Sequence, residues 1–90
     1  MKTYRITVTL RDIATGKPGV CEACPVAKAA RRVFRQPVLV GGSTITVNND
    51  EVRMRRFALP HTAHAFIQRF DAKKPVKPFS FTVTEVQTRP

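Results

Sequence analysis

Two residue pairs in this chain have spacings that suit metal chemistry: Cys21 with Cys24, and His61 with His64. One Cys-x2-Cys is half of a four-ligand zinc site. The histidine pair offers the other half, although its spacing is short for a zinc-finger histidine pair. A thiol at a helix N-terminus also has a lowered pKa and is reactive, so the same cysteines support a redox reading. Each pair has an ordinary role as well: Cys24 stands where a helix N-cap belongs, and the histidines stand where a helix opens. Zinc, redox chemistry and plain structure are all open at this level. No other cofactor is implied.

The basic residues make a stronger pattern. Sixteen Lys and Arg oppose six Asp and Glu, giving a net charge of +10 and a pI near 10.9. A few net charges suffice for solubility, so this excess points to a polyanion or an acidic protein surface as partner. Lys28, Arg31, Arg32 and Arg35 recur at helical spacing, opposite an apolar stripe of Val26, Ala29, Ala30 and Val33. Like charges four apart cost a few tenths of a kcal/mol each, and no Glu is interleaved between Pro25 and Pro37. Proximity to the helix C-terminus offsets part of that cost. An anionic partner accounts for the rest. A second basic surface is expected on a sheet face, from Arg5, Thr7, Thr9 and Arg11, from Arg53 and Arg55, and from Ser80, Thr82 and Thr84. Arginines and hydroxyls suit phosphate and sugar oxygens. RNA-recognition domains place stacking aromatics on such a face; here those positions hold Thr and Arg.

Catalysis finds little support. The carboxylates Asp12, Glu22, Asp50, Glu51, Asp71 and Glu85 are scattered over loops and ends. Neither serine has a recognisable elbow or base, and Gly41-Gly42-Ser43-Thr44 is too short for a phosphate loop. The chain reads as a binder and not an enzyme.

The elements that must position these residues follow from periodicity. Ninety residues predict one domain over 1–90. Tyr4 to Leu10 alternates as a half-buried strand, with Tyr4, Ile6, Val8 and Leu10 inward. A helix opens at Pro25 and stops before Pro37. The stretch 38–57 predicts a strand pair turning at Asn48-Asn49-Asp50, with Val52 and Met54 on one face and Arg53 and Arg55 on the other. Gly41-Gly42 bends or divides its first member. Ala63, Phe66, Ile67 and Phe70 predict a second helix after Pro60, and Phe79, Phe81 and Val83 the inward face of a last strand.

The order β-α-β-β-α-β predicts a ferredoxin-like split βαβ domain: a four-stranded antiparallel sheet with two helices on one face and the other face open. Its first and third strands are parallel neighbours. Both helices then begin at one sheet edge, where Cys21, Cys24, His61 and His64 converge. No run approaches the ~18 apolar residues of a membrane span. The alternating N-terminus reads as a strand and not a signal peptide, so the expected location is cytoplasmic.

The stretch GKPGVCEACPVAKAARR, a VGG-type strand and then FIQRFDAKKPVKPFSFTV resemble small phage and prophage proteins that carry a Cys-x2-Cys-Pro-Val-Ala start to the first helix. That family has no assigned activity, and its second helix opens with prolines and apolar residues where this chain has His61 and His64. The resemblance implies a small accessory protein acting on nucleic acid or host machinery in a bacterial cell. The leading expectation is a non-enzymatic protein that binds nucleic acid through Lys28, Arg31, Arg32 and Arg35, with Arg53, Arg55 and Arg5 in support. The rival is a phage-type inhibitor or adaptor (anti-defence or host-takeover) docking on an acidic host protein or ribonucleoprotein. A zinc-stabilised or redox-active small domain is the third.

Overall fold

The computed structural model of the protein describes residues 3–20, 22–41, 43–48 and 53–86. Its elements are β1 (Thr3–Val8), α1 (Leu10–Thr15), α2 (Pro25–Phe34), β2 (Val38–Gly41), β3 (Thr44–Val47), β4 (Arg55–Ala58), α3 (His61–Asp71) and β5 (Phe79–Glu85). Among the described residues there are thus five strands and three helices, where a four-stranded, two-helix ferredoxin-like domain was expected. The strand order is β1-β5-β4-β3-β2, antiparallel at every step. The C-terminal strand lies between β1 and β4, so the parallel neighbour pair of a split βαβ domain does not form.

Each departure has a local cause. The first strand was expected to run through Leu10, but it stops at Val8 because Thr9 starts a helix. The Thr9 hydroxyl accepts from the Asp12 backbone N–H at 3.2 Å, and the Asp12 carboxylate accepts from the Thr9 N–H at 2.9 Å. This reciprocal capping box satisfies two donors that the end of a helix otherwise leaves unpaired. Leu10, expected in the core, is 70% exposed as a result. The extra strand arises at the glycines. Gly41 pairs with Thr44, which divides the expected strand into the hairpin β2–β3. Gly42 lies outside the described residues, as do Asn49 and Asp50 of the expected second turn. Asn48, at the start of that turn, has the left-handed φ of 57° that Asn tolerates.

The sheet curls into a half-barrel, and α2 explains why. In a flat five-stranded sheet the edge strands would stand roughly 19 Å apart, almost twice a helix diameter. Yet α2 packs against both edge strands, β1 and β2. The sheet must wrap around it. The surface of α2 that meets the sheet is small (Pro25, Val26, Ala27, Ala29 and Ala30, all buried), which lets the strands approach closely. Into the same core point Ile6 and Val8 from β1, Ile45 and Val47 from β3, Phe57 from β4 and Val83 from β5, each fully buried. α3 adds Ala63 and Phe66.

Candidate nucleic-acid interface

The cations of α2 are set by the helix itself. Its buried arc uses Val26, Ala29 and Ala30, and the remaining side carries Lys28, Arg31, Arg32 and, at the C-cap, Arg35. The four share one side, as helical spacing requires. Their chemical situations differ.

Arg32 is committed to the fold. Its guanidinium grips the Asp12 carboxylate at 3.0 Å and 2.8 Å and donates to the Thr7 carbonyl at 3.0 Å. Thr7 belongs to edge strand β1, so one contact ties α2 to both α1 and a sheet edge. Asp12 is the one buried charged residue in the described core. Burial pushes its carboxyl pKa up, but the Arg32 guanidinium and the Thr9 N–H and hydroxyl outweigh that and hold it below the usual carboxylate value. The same hydrogen bond raises the pKa of Arg32.

Arg31 donates to the backbone carbonyl of Glu22, which orients it without neutralising it. Ion pairs among the described residues join Arg32 to Asp12 and Arg55 to Glu85. Lys28, Arg31 and Arg35 have no carboxylate partner within that set. Arg31 and Arg35 line an open hollow of about 460 Å³ with Glu22, Gln36, Pro37 and Val38. Glu22 shares the hollow, but its carboxylate forms no ion pair with either arginine. Gln36 is fixed there through its Oε1, which accepts from the Asn48 side-chain amide at 2.6 Å.

Arg35 has an unusual backbone for its type. It caps α2 in the left-handed conformation, φ 57° and ψ 38°, with its N–H on the Arg31 carbonyl at 2.7 Å. Helices most often use Gly or Asn in this conformation, because a β-carbon there costs about 1–2 kcal/mol. The helix dipole returns only part of that to a cation.

The sheet surface differs from the expected one. Arg5 lies on the outer face of β1, opposite Thr82 of β5. Thr9 and Arg11 leave that face with the turn into α1. Arg55 was expected outside and is not. Phe57 is fully buried, and a strand alternates faces, so Arg55 must share the inner face with it. There Arg55 forks onto Glu85 at 3.2 Å and 2.9 Å, donates to the Tyr4 hydroxyl at 3.1 Å, and lies 5.1 Å from the centre of the Phe57 ring. The Glu85 hydrogen bonds, then the Tyr4 contact, raise its pKa further. Arg53 is exposed in a turn before β4. The outward arginine of β4 is Arg56, opposite Thr46, which the sequence reading missed. With Thr7, Ser80 and Thr84, the outer face is rich in hydroxyls and carries Arg5 and Arg56.

The cysteine–histidine group is not assembled among the described residues. Cys24 is the buried N-cap of α2, its sulfur accepting from the Ala27 N–H at 3.4 Å. Cys21 lies outside the described set. His61 is exposed and His64 half-buried at the start of α3. No group of three His, Cys, Asp or Glu side chains in the described set is placed to hold a metal. The strand adjacency that was to bring the four together is replaced by the insertion of β5.

Fold and surface together define a small basic α+β domain: a curled antiparallel sheet around one helix whose outer side is cationic. No family model matches the chain, and neither a curated protein nor a solved structure is significantly similar to it. Among the described residues, no helix is long and apolar enough to cross a membrane.

Proposed function

We propose that this chain is a non-enzymatic accessory protein that binds the phosphate backbone of nucleic acid through the outer side of α2, with Lys28, Arg31 and Arg35 as the contacting cations. Arg35 carries the reading. A cation occupies a left-handed cap where glycine would fold with less strain, beside Arg31 and with no carboxylate partner among the described residues. Local conflicts of this kind are characteristic of functional positions. Lys28 and Arg35 are two turns apart, about 10 Å along the axis, which is the axial length of about three phosphates of one DNA strand. Arg32 is removed from the contact set by its commitment to Asp12.

The test is fluorescence anisotropy with duplex and single-stranded oligonucleotides over a range of salt. Three phosphate contacts give a log–log slope of about −3 on duplex, and each of Lys28→Ala, Arg31→Ala and Arg35→Ala lowers its magnitude by about 1. Arg5→Ala and Arg56→Ala leave the slope unchanged. If those two flatten it and the α2 variants do not, the outer sheet face is the site. Absence of binding at low salt to either form overturns the proposal.

A further inference from the structure

Another surface combines features that the α2 site lacks. Beside α3 lies a hollow of about 480 Å³ floored by Ala65, Phe66, Val76 and Phe79, with Arg69 and Lys77 at its margin. A neighbouring hollow of about 460 Å³ is lined by Ile13 and Phe70, with Lys73 and Lys74. Pro75 and Val76 line both, so this dipeptide is a ridge between two apolar depressions. Among the described residues no carboxylate lines either one, while four cations do.

The ridge is held in place. The Arg69 guanidinium donates to the Pro75 carbonyl at 3.1 Å and 3.3 Å. Lys74 donates its N–H to the Arg69 carbonyl at 2.9 Å, closing the end of α3 onto the segment that follows. Pro75 and Pro78 restrict the backbone on either side of Val76. A preformed surface of this kind loses little entropy on binding.

From this geometry we infer a second binding surface: an acidic segment of a partner protein lies across the Pro75–Val76 ridge and drops one aliphatic side chain into each depression. Apolar floors fit the anchors, and the surrounding cations fit Asp or Glu between and beside them. A second copy of this chain is a poor occupant, since it brings a net charge of +10 to a cationic rim. A stacked nucleobase is also disfavoured. The Phe79 ring is already engaged by Phe66 at 4.7 Å and by Phe81 at 5.3 Å. This surface shares no lining residue with the hollow beside α2 and does not depend on the nucleic-acid reading.

Heteronuclear NMR on the ¹⁵N-labelled chain tests it. The probes are short synthetic Asp/Glu-rich peptides carrying two leucines at varied separation, the same peptides with both leucines replaced by serine, and oligothymidylate. A leucine peptide should shift the amides of Ala65, Phe70, Val76 and Lys77, and its serine counterpart should bind at least about tenfold more weakly. Lys74→Glu with Lys77→Glu, both at exposed positions, should weaken the leucine peptide about tenfold. Arg31→Ala with Arg35→Ala should leave it unchanged. Equal binding of leucine and serine peptides, no binding by any leucine peptide, or oligothymidylate moving these same amides overturns the inference.

Discussion

Arg32 and Asp12 form a two-point clasp between α2 and α1, with guanidinium nitrogens 3.0 Å and 2.8 Å from the two carboxylate oxygens. Asp12 is 6% exposed in its side chain and Arg32 is 52% exposed, so the pair stands at the boundary between core and solvent. The same carboxylate caps α1, which makes one acidic residue responsible for a helix start and a helix–helix joint. Removing Arg32 leaves a buried carboxylate short of its main partner. We expect Arg32→Ala to destabilise the fold by about 1–3 kcal/mol in urea denaturation, a range set below that for fully buried pairs because Arg32 is half in water. The loss per arginine should be much smaller for Arg31→Ala.

The clasp also sets an acid limit. The folded-state pKa of Asp12 lies below its ordinary 3.8, so the native state binds its proton less readily than the unfolded chain. Its stabilisation is full above pH 3.8 and is lost as the pH falls through the depressed folded value. Thermal denaturation across the acid range should show this loss in the parent. Asp12→Asn should flatten the curve in that range while lowering stability at neutral pH.

Gly16 is needed for closeness, since its φ of −72° is open to any residue. A β-carbon there would lie 2.7 Å and 2.8 Å from ring carbons of Pro25 and 2.9 Å from the Asp12 carbonyl oxygen. Two of those atoms belong to a rigid ring and one to backbone, so neither side can give way cheaply. Gly16→Ala should cost about 1–3 kcal/mol by calorimetry or denaturant titration. Gly41→Ala, with nothing within 4 Å of its β-carbon, is the control.

Replacing Arg35 with glycine separates stability from function. The strain of a left-handed arginine is relieved, and the unfolded chain gains freedom in partial compensation. Arg35→Gly should leave stability unchanged or raise it by up to about 1 kcal/mol. The same variant should lose oligonucleotide affinity. A variant that folds less well and binds as before would identify Arg35 as a structural cap only.

Arg55 holds the opposite balance, a cation used for folding. Tyr4, Phe34 and Phe57 pack together with ring centres 4.8–5.5 Å apart, and Arg55 lies over two of those rings while forking onto Glu85. Lysine has neither the planar fork nor the stacking face. We expect Arg55→Lys to destabilise by about 1 kcal/mol in chemical denaturation and to leave the salt dependence of nucleic-acid binding untouched.

Much of the local structure is written in the sequence. The alternation of Ile6 and Val8, the Val26, Ala29 and Ala30 positions of the α2 stripe, the Ala63–Phe66 face and the Phe81–Val83 strand were placed correctly, because apolar spacing reports which side of an element is buried. Val33, read into the same stripe, is instead 38% exposed near the end of α2. The row of cations on α2 follows from the same spacing. Two further features were also legible and passed over. Thr9-Leu10-Arg11-Asp12 has the spacing of a capping box, which predicts α1. Phe57 needs an inward position, which forces Arg55 inward and Arg56 outward.

Tertiary structure alone decided the rest. Strand order is a matter of which edges meet after the chain has turned back, and no periodicity encodes the insertion of β5 between β1 and β4. That insertion, with α2 reaching both edge strands, made a curled sheet in place of an open one. It also decided which of the many cations would be consumed. Arg32 and Arg55 look like their neighbours in sequence, but Asp12 and Glu85, twenty and thirty residues away, take them into the fold. Charge is a property of composition, whereas its availability depends on which carboxylates the folded chain brings within hydrogen-bonding distance.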